Sequence, residues 1–339
     1  MSEFKVNTIT NGDGSYGPQV CGITTFGSSG LTLPSGPTEF RGGRGRGVFS
    51  GGRNNPVYHD TMNSVEIATK ADATDFGNLS VGVNGGSGNI SSATRGITSG
   101  GTLPSPHAIS DHIDYHIFSS GGGSNDFGDL TEESNAHGGY SNNRRGIFSM
   151  GYPSYSGKLT FITIASTGSA NEFGSVTSPP SLADAGGINS PTRAILHQFN
   201  NSDGNIQMCE FVTFETLGNS QEFGNLSVAR QAGSGCSSST RGISSGGLTP
   251  SLSDVIDFCT IATLGDFIDF GNLTQARRSN GGCSSSTRGL TGGGTTPTNQ
   301  NTIDFVTIST TGNATDFGDL TYSARNVKGN SDVHGGLGD

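Results

Sequence analysis

The sequence predicts an all-β protein, built as a β-propeller of about six four-stranded blades, with seven as the alternative. Three observations point there. An Asp/Glu-Phe-Gly triplet recurs at Phe76, Phe127, Phe173, Phe223, Phe270 and Phe317. An arginine, followed by glycine in five of six cases, recurs at Arg46, Arg95, Arg145, Arg193, Arg241 and Arg288. Both markers step by about 48 residues, and between them lies an apolar, β-branched burst, clearest as IDFVTIST at 303–310, IDFCTIAT at 256–263 and LTFITIAS at 159–166.

Taken in order, each unit opens with a Gly/Ser strand ending near GCSSST and continues with a strand of the form RGxxxGG. The apolar burst is the third strand, and a short last strand runs around TDFGDL. Gly, Pro, Asn and Asp supply the turns. Apolar residues on both faces of these strands suit blades that stack face to face. Six units span Arg46 to Leu320, and the tail YSARNVKGNSDVHGGL at 322–337 aligns with QARRSNGGCSSSTRGL at 275–290, the first-strand segment of a unit. The C-terminus is therefore expected to supply the strand that the first unit lacks. A seventh blade requires residues 1–40 to form it. Two units depart from the pattern: the third has Met150-Gly151 at its turn, and the fourth has Gln198-Phe199 with Ala194 after its arginine, so the fourth should be the least regular. The domain reading is an arm over 1–40 and a propeller over 41–339.

Composition narrows the function. Of 339 residues 56 are Gly and none is Trp; 14% are charged, and the net charge is −10. An acidic chain with no Lys/Arg block argues against nucleic acid, whose affinity grows with the cations presented. No run approaches the length needed to cross a bilayer, and the N-terminus MSEFKVNTITNGDG lacks a signal-peptide pattern, so no membrane insertion is expected. Cys21, Cys209, Cys236, Cys259 and Cys283 show no C-x-x-C spacing and read as buried thiols.

The repeated charges come in sets, Arg46 with Asp75, Arg95 with Asp126, Arg145 with Glu172, Arg193 with Glu222, Arg241 with Asp269 and Arg288 with Asp316. In a charge-poor protein they are expected to form structural ion pairs. The rival is a ring of arginines binding an anion at the central channel. The six Phe read as blade anchors, their Gly neighbours allowing close backbone approach. A kinase-type magnesium role for Asp-Phe-Gly is excluded by its sixfold recurrence and by the lack of a phosphate loop. Among the histidines only His107, His112 and His116 cluster, and His112, Asp114 and His116 form a weak metal candidate on one side of a strand. No Ser-His-Asp or Cys-His set is readable. No cofactor and no enzymatic activity are expected.

The Gly-Gly pairs Gly51-Gly52, Gly100-Gly101, Gly246-Gly247 and Gly293-Gly294, with an aromatic anchor in each last strand, resemble the kelch family, Phe standing in place of its usual Trp. The phrase VNTITNGDGSYGPQVCGITTF resembles the opening segment of tail-fibre-like and other virion structural proteins of marine cyanobacterial phages, and the repeat phrases TGNATDFGDLT and SSSTRG resemble those of uncharacterised repeat proteins of the same phages. That resemblance implies a virion component made in the host cytoplasm. Residues 1–40 would dock on other virion proteins, and the propeller would be displayed outward for host attachment, with a host-surface glycan as its partner. The alternative is a soluble carbohydrate- or protein-binding propeller with no particle role.

Overall fold

The computed structural model describes residues 45–85, 90–104, 106–177, 186–201 and 204–338, together with two short paired strands, Thr24–Thr25 and Leu31–Thr32. The chain divides into two units, Met1–Arg41 and Gly42–Asp339. The attachment role expected of residues 1–40, and Cys21, lie outside the described residues.

The second unit is a six-bladed β-propeller. The first blade pairs Lys328–Ser331 with Arg46–Ser50, then Thr61–Glu66 and Thr74–Asn78, so the C-terminal strand closes the ring as the repeat alignment predicts. The sixth shows the regular unit: Gly281–Ser284, Arg288–Gly292, Thr302–Thr307 and Thr315–Asp319, all antiparallel. The fourth is indeed the least regular. Its sheet is Arg193–Leu196, Met208–Thr213 and Gln221–Asn225, and its inner strand is reduced to one bridge, Asn189 with Ala194.

Six apolar clusters fill the junctions between adjacent blades, and each contains one of the repeated phenylalanines: Phe76, Phe127, Phe173, Phe223, Phe270 and Phe317. All six are buried. The cluster around Phe317 joins Leu290 and Ile303 of the sixth blade to Phe49, Val65 and Ile67 of the first, so the seam is packed like any other junction. The following glycine is needed for the approach of the next blade. A Cβ on Gly271 would stand 2.5 Å from the Gly312 carbonyl oxygen, where the Gly312 N–H donates to Phe270 O at 2.8 Å.

Gly51-Gly52, Gly100-Gly101, Gly246-Gly247 and Gly293-Gly294 all adopt positive φ, which turns the second strand sharply into its loop. Gln198 takes that conformation in the fourth blade, at φ 60°. A register shift in each third strand, at Ile303/Asp304 in the sixth blade and Ile256/Asp257 in the fifth, buries two successive residues instead of one.

Candidate functional site

The repeated arginines and acids are not partners, which corrects the ion-pair expectation. Asp75, Asp126, Glu172, Glu222, Asp269 and Asp316 each precede a buried Phe in an outer strand, and strand alternation turns them to solvent. Each arginine instead joins two blades. Its guanidinium lies over a ring of its own blade: Arg95 over Tyr115 at 4.7 Å, Arg145 over Phe161 at 4.5 Å, Arg193 over Phe211 at 4.7 Å, Arg241 over Phe258 at 4.5 Å and Arg288 over Phe305 at 5.0 Å. Arg46, whose blade has Ser64 at the aromatic position, reaches Phe76 at 5.5 Å. Nη1 then donates to a backbone carbonyl of the next blade: Arg95 to Ile164 at 2.9 Å, Arg241 to Ile308 at 2.9 Å and Arg288 to Ala68 at 2.8 Å. Arg46 to Phe118, Arg145 to Phe214 and Arg193 to Ala262 complete the circuit. A flat, weakly hydrated cation can stack and donate at once, which suits this position.

The arginine-lined anion channel is absent too, because the axis is closed. Six equivalent inner-strand residues bond head to tail. Ser91 N donates to Ser141 Oγ at 2.9 Å, Ser141 N to Asn189 Oδ1 at 3.2 Å, Asn189 N to Ser237 Oγ at 2.9 Å and Ser237 N to Ser284 Oγ at 3.2 Å. Ser331 Oγ to Ser284 O at 2.5 Å and Ser91 Oγ to Ser331 O at 2.8 Å complete the ring. After the closing strand, His334 and the turn Gly335–Leu337 cover one mouth, with His334 Nε2 2.9 Å from Ser91 O. A cavity beside the ring, lined by Ser91, Asn189, Ser284, Ser331 and His334, measures about 10 Å³, room for a single water.

Sequence reasoning missed a buried polar layer. The register shift brings Asp114, Glu210, Asp257 and Asp304 inside. Asp304 accepts from Thr274 Oγ1 at 2.7 Å and pairs with Arg277 at 3.0 Å; Asp257 accepts from Ser227 Oγ at 2.6 Å and pairs with Arg230 at 2.7 Å. An acid set inside an apolar run, as in IDF, was the available signal. The metal candidate separates within this layer. His112 Nε2 meets Asp114 Oδ1 at 3.1 Å, but His116 packs edge-on against Phe76 and Phe118, where burial lowers its pKa to about 3. Among the described residues no group of His, Cys, Asp or Glu is placed to hold a metal. The four described cysteines are buried free thiols, and burial raises Cys236 to about 12.

What the repeat does not consume lies on one face. Strand alternation puts the loops between second and third strands, and the connections between blades, at the same end of the ring. Bridges tie them together: Arg53 with Arg325, Asn84 with Thr102, Asn135 with Tyr152, Gln231 with Leu248 and Arg278 with Thr295. On the first blade the Arg53 guanidinium stacks on Tyr58 at 4.8 Å, the Tyr58 ring meets His107 edge-on at 5.8 Å, and His59 stacks on Tyr322 at 4.2 Å. On the third, exposed Tyr152 and Tyr155 meet edge-on at 5.7 Å above Glu132, which accepts from Ser154, Ser156 and Lys158. Burial lowers the His59 pKa, with Asp60 opposing. Rings, amides and the Arg53 guanidinium thus gather on an otherwise polar loop surface. Among the described residues no helix is long and apolar enough to cross a membrane. No protein-family model matches the chain, and no curated protein sequence matches it.

Proposed function

We propose that this propeller is a non-enzymatic adhesion module of a phage particle, docked to other virion proteins through residues 1–40 and presenting its loop face to host-surface glycan. The observation that carries the binding part is the division of polar chemistry. The recurrent arginines, serines and buried acids are consumed by the blades and the axis, while Tyr58, His59, Tyr152 and Tyr155 stand on one loop face. Weak, sugar-type contacts on such a face gain from the many copies a particle displays. The particle part is supported by the sequence phrases of the N-terminal segment and of the repeats.

The test is mass spectrometry and cryo-electron microscopy of purified particles of the source phage. A ring-shaped density joined through the N-terminal segment is expected, and removal of residues 1–40 should abolish incorporation while the ring still folds. Absence of the polypeptide from particles would sink the particle role and favour a soluble binding propeller.

A further inference from the structure

The seam between the first and sixth blades holds a pair of arginines that nothing in the fold explains. Arg53 N donates to Arg325 O at 2.9 Å and Arg325 N to Arg53 O at 3.2 Å, so the two residues face each other across an antiparallel bridge. Directly opposed residues project from the same side with Cβ atoms about 5 Å apart, and like charges there repel. The other bridges that join neighbouring blades on this face pair an amide or cation with Thr, Tyr or Leu. Among the described residues no carboxylate forms an ion pair with either guanidinium, in a chain of net charge −10 that has 28 acidic residues.

The surroundings are built rather than loose. The Arg53 guanidinium carbon lies over the Tyr58 ring at 4.8 Å, and the Arg53 backbone carbonyl accepts from Asn299 Nδ2 at 3.0 Å. Arg53 Nε, the Tyr58 hydroxyl and His59 Nε2 are enclosed polar atoms with no hydrogen-bond partner. Arg278 occupies, one junction back, the place that Arg325 holds here, bridged to Thr295. The nearest acid in sequence, Asp60, is exposed beside His59.

We propose that the Arg53–Arg325 pair is the anion-reading subsite of the loop face and that its ligand is an acidic saccharide, a sugar bearing carboxylate or sulfate. Guanidinium groups carried by two directly opposed residues can converge on the paired oxygens of such a group, and the acid would cancel the repulsion between them. Tyr58 and the amides of Asn54 and Asn299, which bond each other at 3.1 Å, supply the ring and hydrogen-bonding surface beside it. This deepens the glycan-binding part of the proposed function and is independent of the particle.

The test is calorimetric titration of the full-length protein with a short oligogalacturonate, its fully methyl-esterified form, a sulfated chondroitin oligosaccharide and inorganic phosphate. An acidic oligosaccharide should bind at least about tenfold more tightly than the ester, and rising salt should weaken it. Arg325→Gln should lower that affinity about tenfold without changing the melting temperature, and Arg53→Gln should lower it as much while also losing the contact with Tyr58 and some thermal stability. Arg325→Lys should recover part of the loss, because a point charge replaces the fork. Equal binding of acid and ester, unchanged affinity in both Gln variants, or no saccharide binding would overturn the proposal. Inorganic phosphate binding as tightly as the oligosaccharides would overturn the saccharide class. Acidic binding by a protein absent from particles would leave this proposal standing and remove the particle role.

Discussion

The sixth and fourth blades perform the same task with different means. In the sixth, Gly293-Gly294 makes the loop turn, the inner strand pairs over its full length, and the buried Asp304 has Arg277 beside it. In the fourth, Gln198 holds the positive-φ position and its side chain compensates, Oε1 accepting from Gly233 N at 2.6 Å and Nε2 donating to Ser244 Oγ at 3.0 Å. Its buried acid, Glu210, is met by hydroxyls, including Thr177 Oγ1 at 2.8 Å. A blade is thus defined by apolar anchors at the junctions and a satisfied polar layer, and the groups that satisfy the layer can change from blade to blade.

The largest effect separating the two should come from the ring closure that the sixth blade adjoins. Removing residues 328–339 strips the first blade of its inner strand and opens the axis ring at Ser331, so cooperative thermal unfolding should be lost. Deleting the same number of residues at the N-terminus should leave the melt unchanged.

Next in size is the buried charge. Asp304→Ala leaves Arg277 uncompensated and should destabilise by about 3–5 kcal/mol in chemical denaturation, whereas Glu210→Gln, which keeps the side chain's size and its hydroxyl neighbours, should cost about 1–3 kcal/mol. Equal losses would mean that the arginine adds nothing to the sixth blade. A double Asp304→Leu, Arg277→Met variant should recover most of the loss.

Acid should act on the irregular side of the ring first. Burial lowers His116, His137 and His197 to about 3 and His334 to about 4, from an ordinary 6.5, and none of the four lies in the sixth blade. A depressed histidine is neutral when folded and takes up its proton on unfolding. Its contribution is therefore complete above about pH 6.5 and is lost as pH falls toward 3. Melting temperature should decline through that window, and hydrogen exchange should show the fourth blade and the axis plug opening before the sixth.

The smallest effect expected is that of the exposed acids. Asp316→Asn in the sixth blade and Glu222→Gln in the fourth should leave the melting temperature unchanged, while Arg241→Ala, which removes a ring contact and an inter-blade bond, should lower it measurably. A clear loss at either acid would revive the ion pairs that the structure replaces.

The architecture was legible because it repeats. The spacing of Phe76 through Phe317, the Gly-Gly turns and the tail at 322–337 identified the blades, the closing strand and the irregular fourth unit. The partners of the arginines were not legible. Arg95 bonds a carbonyl 69 residues away, and a main-chain acceptor carries no mark in the sequence. Asp126 was legible as an acid before a Phe, but only the pleat of its strand shows that it faces water. The buried Asp304 depended on a register shift between strands, and the Arg53–Arg325 pair on the closure that brings residues 272 positions apart into one bridge.

The sequence by itself determined the blade, its repeat and the Phe anchors, because apolar periodicity and turn chemistry act locally and recur; ring closure then fixed the number at six rather than seven. The tertiary structure alone decided which charges are satisfied within the blades, that the axis is shut, and which polar groups remain on the loop face. The physical reason is that charges and hydrogen-bonding groups choose partners by proximity and burial, and both are set only when the ring closes.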